Sequence, residues 1–80
     1  MSINEVTRKR IRELCTQRKI TPNALSYICG ISQSTIKSIL NNESKSPKVE
    51  TIKKICDGLE ITIAQFFDTD EFNSLEQEIE

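Results

Sequence analysis

The eighty residues contain no histidine and no tryptophan, only two glycines and two prolines, and just four aromatic rings. Histidine is the commonest general acid–base group near neutral pH and a frequent zinc ligand, so both chemistries lose their usual carrier. Two isolated glycines, Gly30 and Gly58, cannot build a glycine-rich phosphate loop. No serine or cysteine stands with a credible base, and the carboxylates that gather in the tail read as solvated. The chain is therefore expected not to be an enzyme and to hold no cofactor or metal. So few turn formers argue against a many-stranded β fold. No apolar run approaches the ~20 residues of a membrane span, and the N-terminus carries no apolar signal segment. A soluble, cytoplasmic protein with no membrane partner is expected.

Cysteine is present but sparse. Cys15, Cys29 and Cys56 cannot all pair within the chain, and no two stand at a C-x-x-C spacing. Each sits beside aliphatic residues in a helical pattern, where a free thiol behaves as a small apolar core residue. That reading suits a reducing cytosol.

What the chain does have is patterned charge. The net charge is only −1, which by itself argues mildly against nucleic acid. Residues 1–56, however, hold all eleven Lys and Arg with four acids, a net +7, while residues 57–80 hold eight acids and no base, a net −8. A basic body able to meet phosphate is followed by an acidic end. The length allows one domain, and the 36% hydrophobic content suits amphipathic helices, each burying one stripe.

The periodicity predicts five helices. The first runs roughly from Asn4 to Lys19, with Ile3, Val6, Ile11, Leu14 and Cys15 on one side and Arg8, Lys9 and Arg12 on the other. Thr21-Pro22 is a start signal for a second helix, Pro22 to Cys29, carrying Leu25, Ile28 and Cys29 and ended by Gly30. Ser32 caps a third, Gln33 to Leu40, burying Ile36, Ile39 and Leu40, and Asn41-Asn42 breaks it. A fourth, about Val49 to Leu59, is expected to bury Val49, Ile52, Ile55, Cys56 and Leu59. After Gly58, Thr62 caps a short fifth helix, Ile63 to Asp68, carrying Ile63, Phe66 and Phe67.

The informative stretch is Thr21 to Leu40. Two short helices joined only by Cys29-Gly30-Ile31-Ser32 cannot lie antiparallel, so they must cross steeply, as in a helix-turn-helix. Gly30 relieves the turn, Ile31 plugs the gap, and Ile36 locks the second helix on the first. The polar side of that second helix is left free, with Ser32, Gln33, Ser34, Lys37 and Ser38. Glutamine can pair bidentately with adenine, serine bonds several bases, and lysine reaches guanine or phosphate. A merely solvated helix face is also made of Ser, Gln and Lys; the turn beside it favours nucleic acid.

These residues resemble the Cro/repressor (XRE-like) helix-turn-helix family. The likeness runs from Arg10-Ile11-Arg12-Glu13-Leu14 through Ile20 to Ser26, Gly30-Ile31-Ser32, Ser34-Thr35-Ile36, Pro47, Thr51-Ile52 and Ile55 to Phe66-Phe67-Asp68. It implies an all-α, five-helix, lambda-repressor-like DNA-binding domain over residues 1–68, with residues 69–80 an acidic tail. It further implies a transcription regulator, expected to be a repressor, that inserts its third helix into the major groove of a double-stranded DNA operator, usually as a homodimer. By the resemblance, Ser32, Gln33, Ser34, Lys37 and Ser38 become base readers, and Thr21, Asn23, Asn41, Asn42 and Lys45 hold phosphates. The alternative is a protein-binding module, such as an antitoxin or anti-repressor partner, built on the same fold.

The chain departs from the family at several positions. Ser26 replaces a common alanine, so its hydroxyl needs a partner such as a carbonyl one turn back. Relatives often place a glutamate at the position of Leu40, paired with the arginine matching Arg10; here Arg10 is left to reach Glu43 or phosphate. The tail allows a disordered solubilising end, a short helix packing Phe72, Leu75 and Ile79 on the body or a second subunit, or an anionic mimic of DNA. Two adjacent phenylalanines cannot easily face one core, so Phe66 is the residue expected at a dimer seam.

Overall fold

The computed structural model describes residues 1–41 and 46–79. Six helices and no strands occur among the described residues: α1 (Ile3–Arg18), α2 (Pro22–Cys29), α3 (Gln33–Leu40), α4 (Val49–Gly58), α5 (Ile63–Phe67) and α6 (Asp70–Asn73). Local chemistry sets nearly every helix start. Ser2 and Glu5 form a reciprocal capping box on α1, Oγ of Ser2 accepting from the Glu5 N–H at 3.2 Å and Oε1 of Glu5 accepting from the Ser2 N–H at 3.1 Å. That Ser-x-x-Glu signal sets the start of α1 one residue before the predicted Asn4. Thr21 caps α2, Ser32 caps α3, Thr62 and Gln65 box α5, and Thr69 caps α6. The predicted spans of α2 and α3 are found residue for residue.

The ends of α1 and α2 are set by left-handed backbone. Lys19 closes α1 at φ 56°, and Gly30 closes α2 at φ 66°, where an unbranched backbone costs least. Gly58 does something else. It lies within α4, and the left-handed position after that helix falls to Glu60, at φ 59°. A Cβ on Gly58 would stand 2.5 Å from Sγ of Cys29 and 3.0 Å from its Cα. The missing side chain lets α4 press directly on the end of α2.

The core gathers Ile11, Leu14, Leu25, Ile36, Ile55, Cys56 and Leu59 around Phe66, with Cys15, Cys29, Ile39, Leu40 and Ile52 at its edge. Phe66 is wholly buried, which overturns its expected place at a dimer seam. Both phenylalanines are accommodated because Phe67 turns edge-on to Phe66, centroids 4.8 Å apart, and packs against Phe72 at 4.9 Å. Burying a phenylalanine contributes about 1.5–3 kcal/mol, which anchors the short α5. Val49, expected inside, is 78% exposed, and Ile28 and Ile63 are also exposed. Val49 occupies the first turn of α4, whereas Ile55 and Gly58, nearer its other end, lie against Cys29 of α2. The tail begins as a helix: α6 seats Phe72 on the core, while Ile79 is 81% exposed. Lys9 on α1 reaches Oε2 of Glu71 at 2.7 Å across this junction.

Candidate nucleic-acid interface

The helix-turn-helix is built by α2, the Gly30–Ser32 turn and α3. Leu25 and Cys29 of α2 and Ile36, Ile39 and Leu40 of α3 face inward, with Ile31 half-buried between them. Ser26 sits in the buried seam, and its hydroxyl donates to the Asn23 carbonyl at 2.7 Å, the local partner its sequence position calls for. Packing of one stripe leaves Gln33, Ser34, Thr35 and Lys37 of α3 exposed, with Ser38 half-buried at the margin.

The polar residues divide by what their side chains already do. Oγ of Ser32 accepts from the Thr35 N–H at 3.2 Å and lies 2.7 Å from the Thr35 hydroxyl, so its main engagement is capping α3. Thr21 likewise caps α2, accepting from the Ala24 N–H at 3.1 Å. Gln33, Ser34 and Lys37 converge with Asn23 and Asn41 on one shallow cleft, floored by Ile36 and Leu40. Thus α2's start and α3's exposed face share one surface. Asn42 and Lys45 lie outside the described residues.

Of two further residues on this surface, Tyr27 was not singled out from sequence, and Arg12 was named only as one of the basic residues of α1. Tyr27, 83% exposed, borders a second hollow with Ser26, Ile31 and Gln33. Its signal was an aromatic ring out of phase with the Leu25–Cys29 stripe. Arg12 of α1 reaches across to α3, its Nη2 donating to the Leu40 carbonyl at 2.8 Å, and it lines the cleft. Arg10, by contrast, turns inward, and Glu43, one partner expected for it, lies outside the described residues. Its Nε donates to the Phe66 carbonyl at 2.8 Å, Nη2 to the Gln65 carbonyl at 2.9 Å, and Nη1 to Oε1 of Glu13 at 3.3 Å. Leu40, where a pairing glutamate was looked for, is a core residue.

Charge is arranged unevenly around this surface. Arg12 and Lys37 line the cleft, and no carboxylate lines it among the described residues. Lys9 and Lys53 are instead paired with Glu71 and Asp57, whose hydrogen bonds raise both ammonium pKa values. The three thiols are all free and buried. Burial pushes the Cys29 thiol up to about 11, with Cys15 and Cys56 adding to the rise, and burial raises those two thiols as well. Neutral thiols held this way are packing groups and poor nucleophiles. No helix among the described residues is long and apolar enough to cross a membrane.

A helical domain whose second motif helix is locked by its apolar stripe and presents a polar face beside cations that no described carboxylate neutralises is a DNA-binding helix-turn-helix domain. Comparison with known proteins makes the assignment specific. The chain belongs to the Cro/C1-type HTH DNA-binding domain family, whose profile matches residues 10–71. It is 42% identical over 53 residues to the HTH-type transcriptional regulator RghRB of Bacillus subtilis (strain 168), covering 66% of this chain and 38% of that protein. It is 38% identical over 53 residues to the HTH-type transcriptional repressor RghR of the same organism, covering 66% and 39%. The chain thus spans about two fifths of the length of these curated relatives. The crystal structure of the prophage Lp1 protein 11 superposes with a TM-score of 0.81 at 32% identity, covering 92% of this chain and 97% of that one.

Proposed function

We propose that this chain is a sequence-specific double-stranded DNA-binding transcription regulator, acting as a repressor, with α3 lying in the major groove. The observation that carries the reading is the single cleft joining Asn23 of α2 to Gln33, Ser34, Lys37 and Asn41 of α3, lined by cations and no described carboxylate. A major groove about 12 Å wide accepts one such helix. Gln33, Ser34 and Lys37 read base edges, with Ser38 at the edge of the contact and Ser32 combining capping with a hydroxyl turned to DNA. Thr21, Asn23, Asn41, Asn42 and Lys45 hold phosphates on either side, helped by the backbone N–H groups and dipole at the start of α2.

In this reading the body over residues 1–68 does the binding, and the acidic tail over residues 69–80 keeps its charge off the DNA. The protein works in the cytoplasm as a homodimer, because one short helix contacts too few base pairs for a selective site, and two copies on a palindrome double the contact. RghR is itself named a transcriptional repressor, which supports the same sense of regulation here.

Selection of bound sequences from a random DNA pool at two salt concentrations tests this function. Enrichment of a short two-fold symmetric motif is expected, with affinity falling as salt rises. Failure to enrich any motif at either salt, together with salt-insensitive association with a protein, would replace this reading with a protein-binding module.

A further inference from the structure

Two arginines of α1 stand two positions apart, and residues so spaced point about 200° apart around a helix. Each donates to a carbonyl at the C-terminal end of another helix: Arg10 to Phe66 at the end of α5, Arg12 to Leu40 at the end of α3. Beyond that they differ. Arg10 is only 15% exposed in its side chain, and all three of its nitrogens have partners, one of them the Glu13 carboxylate. Arg12 is exposed, and among the described residues its one partner is a neutral carbonyl. A guanidinium carries five N–H donors in a rigid fork, and among the described residues the Leu40 carbonyl engages only one edge of the Arg12 fork.

The position of that fork is informative. It opens on the cleft that also holds Asn23, Lys37 and Asn41, between the start of α2 and the exposed face of α3. When a helix enters the major groove with its partner helix across the backbone, the space between them is where a backbone phosphate passes.

We propose that Arg12 is a DNA backbone-phosphate residue that seats one phosphate in this cleft while its bond to the Leu40 carbonyl fixes the depth of α3. This inference rests on the DNA-binding reading above and adds to it a residue from outside the helix-turn-helix. The shared grip is physically coherent. A planar guanidinium bonds a carbonyl along one edge and a phosphate along another, so it ties the end of α3 to the backbone at a fixed distance. A contact of this kind positions the protein and carries no base preference.

The test is titration of the full chain against a short labelled duplex of random sequence over a salt series, for the wild type, Arg12→Gln and Arg12→Lys. Glutamine keeps an N–H donor for the Leu40 carbonyl and removes the charge; lysine keeps the charge. Arg12→Gln is expected to lower the slope of log affinity against log salt by about 0.9, one phosphate's worth, and Arg12→Lys to hold the wild-type slope. Thermal melting read on the same samples confirms that each variant is folded at the titration temperature. An unchanged slope in a folded Arg12→Gln, beside a salt-dependent wild type, would overturn this proposal alone. A wild type that binds no duplex would instead sink the DNA-binding reading beneath it.

Discussion

The guanidinium of Arg10 donates through Nε to the backbone carbonyl of Phe66 at 2.8 Å, tying the middle of α1 to the end of α5 across 56 residues of chain. The five-residue α5 has few hydrogen bonds of its own to hold its last turn. Arg10 satisfies two of its final carbonyls, those of Gln65 and Phe66, and the Phe66 ring fills the core beneath the bond. One side chain therefore closes the domain at the point where the acidic segment begins.

Arg10→Met keeps the apolar stem and removes the donors, leaving the part-buried Phe66 carbonyl and the exposed Gln65 carbonyl without their partner. Folding stability should fall by about 1–3 kcal/mol, measured by urea denaturation. Affinity for DNA at a temperature where the variant is folded should hold, since Arg10 faces away from the α3 cleft. A stability equal to the wild type would show that the bond is incidental.

Gly58→Ala sets two effects against each other. Alanine is a better helix former by about 1 kcal/mol, but its Cβ would fall 2.5 Å from Sγ of Cys29. The contact involves a buried side chain and the α2 backbone, which cannot simply swing away, so overpacking wins and the net cost is about 1–3 kcal/mol. A double variant with Cys29→Ala should recover part of that loss. Additive losses in the double-mutant cycle would argue against a direct clash.

Alkaline stability should depend on Cys29. Its folded-state pKa is raised to about 11, against an ordinary thiol value near 9, so between those values the folded chain binds a proton that the unfolded chain has released. The stabilisation is complete below about pH 9 and disappears as pH rises through about 11. Melting temperatures of the wild type should therefore drop more steeply over that window than those of Cys29→Ala. Parallel curves would mean that the thiol does not resist ionisation.

Replacing Gln33 by Ala should leave melting unchanged, because the side chain is exposed and caps nothing. On a selected DNA site the change should cost about 1–3 kcal/mol and relax the preference at one base pair. An equal loss on all sequences would make Gln33 a backbone contact instead.

Much of the fold was legible because its signals are local. Thr21-Pro22, Gly30 and Ser32 mark helix boundaries through capping and left-handed backbone, which depend only on near neighbours, and α2 and α3 fall where those residues put them. The apolar stripes of Leu25, Ile36 and Ile55 likewise dictate which faces turn inward. The partly polar face of α3 was readable as the residue left over once the stripe was buried.

Other features needed the assembled chain. Whether Val49 was inside depended on which neighbours the first turn of α4 meets, and periodicity alone does not supply them. Phe66 and Phe67 share one region because Phe72 supplies a third, edge-on ring from a helix that begins after Asp68. The partners of Arg10 and Arg12 are carbonyls 56 and 28 residues away, and every residue has a carbonyl, so no side-chain pattern could point to them. By itself the sequence determined the helices, their caps and the exposed polar face, all products of short-range sterics and hydrophobic period. Only the tertiary structure decided which cation meets the cleft and which is locked inside, because that choice depends on helix ends brought together across the core.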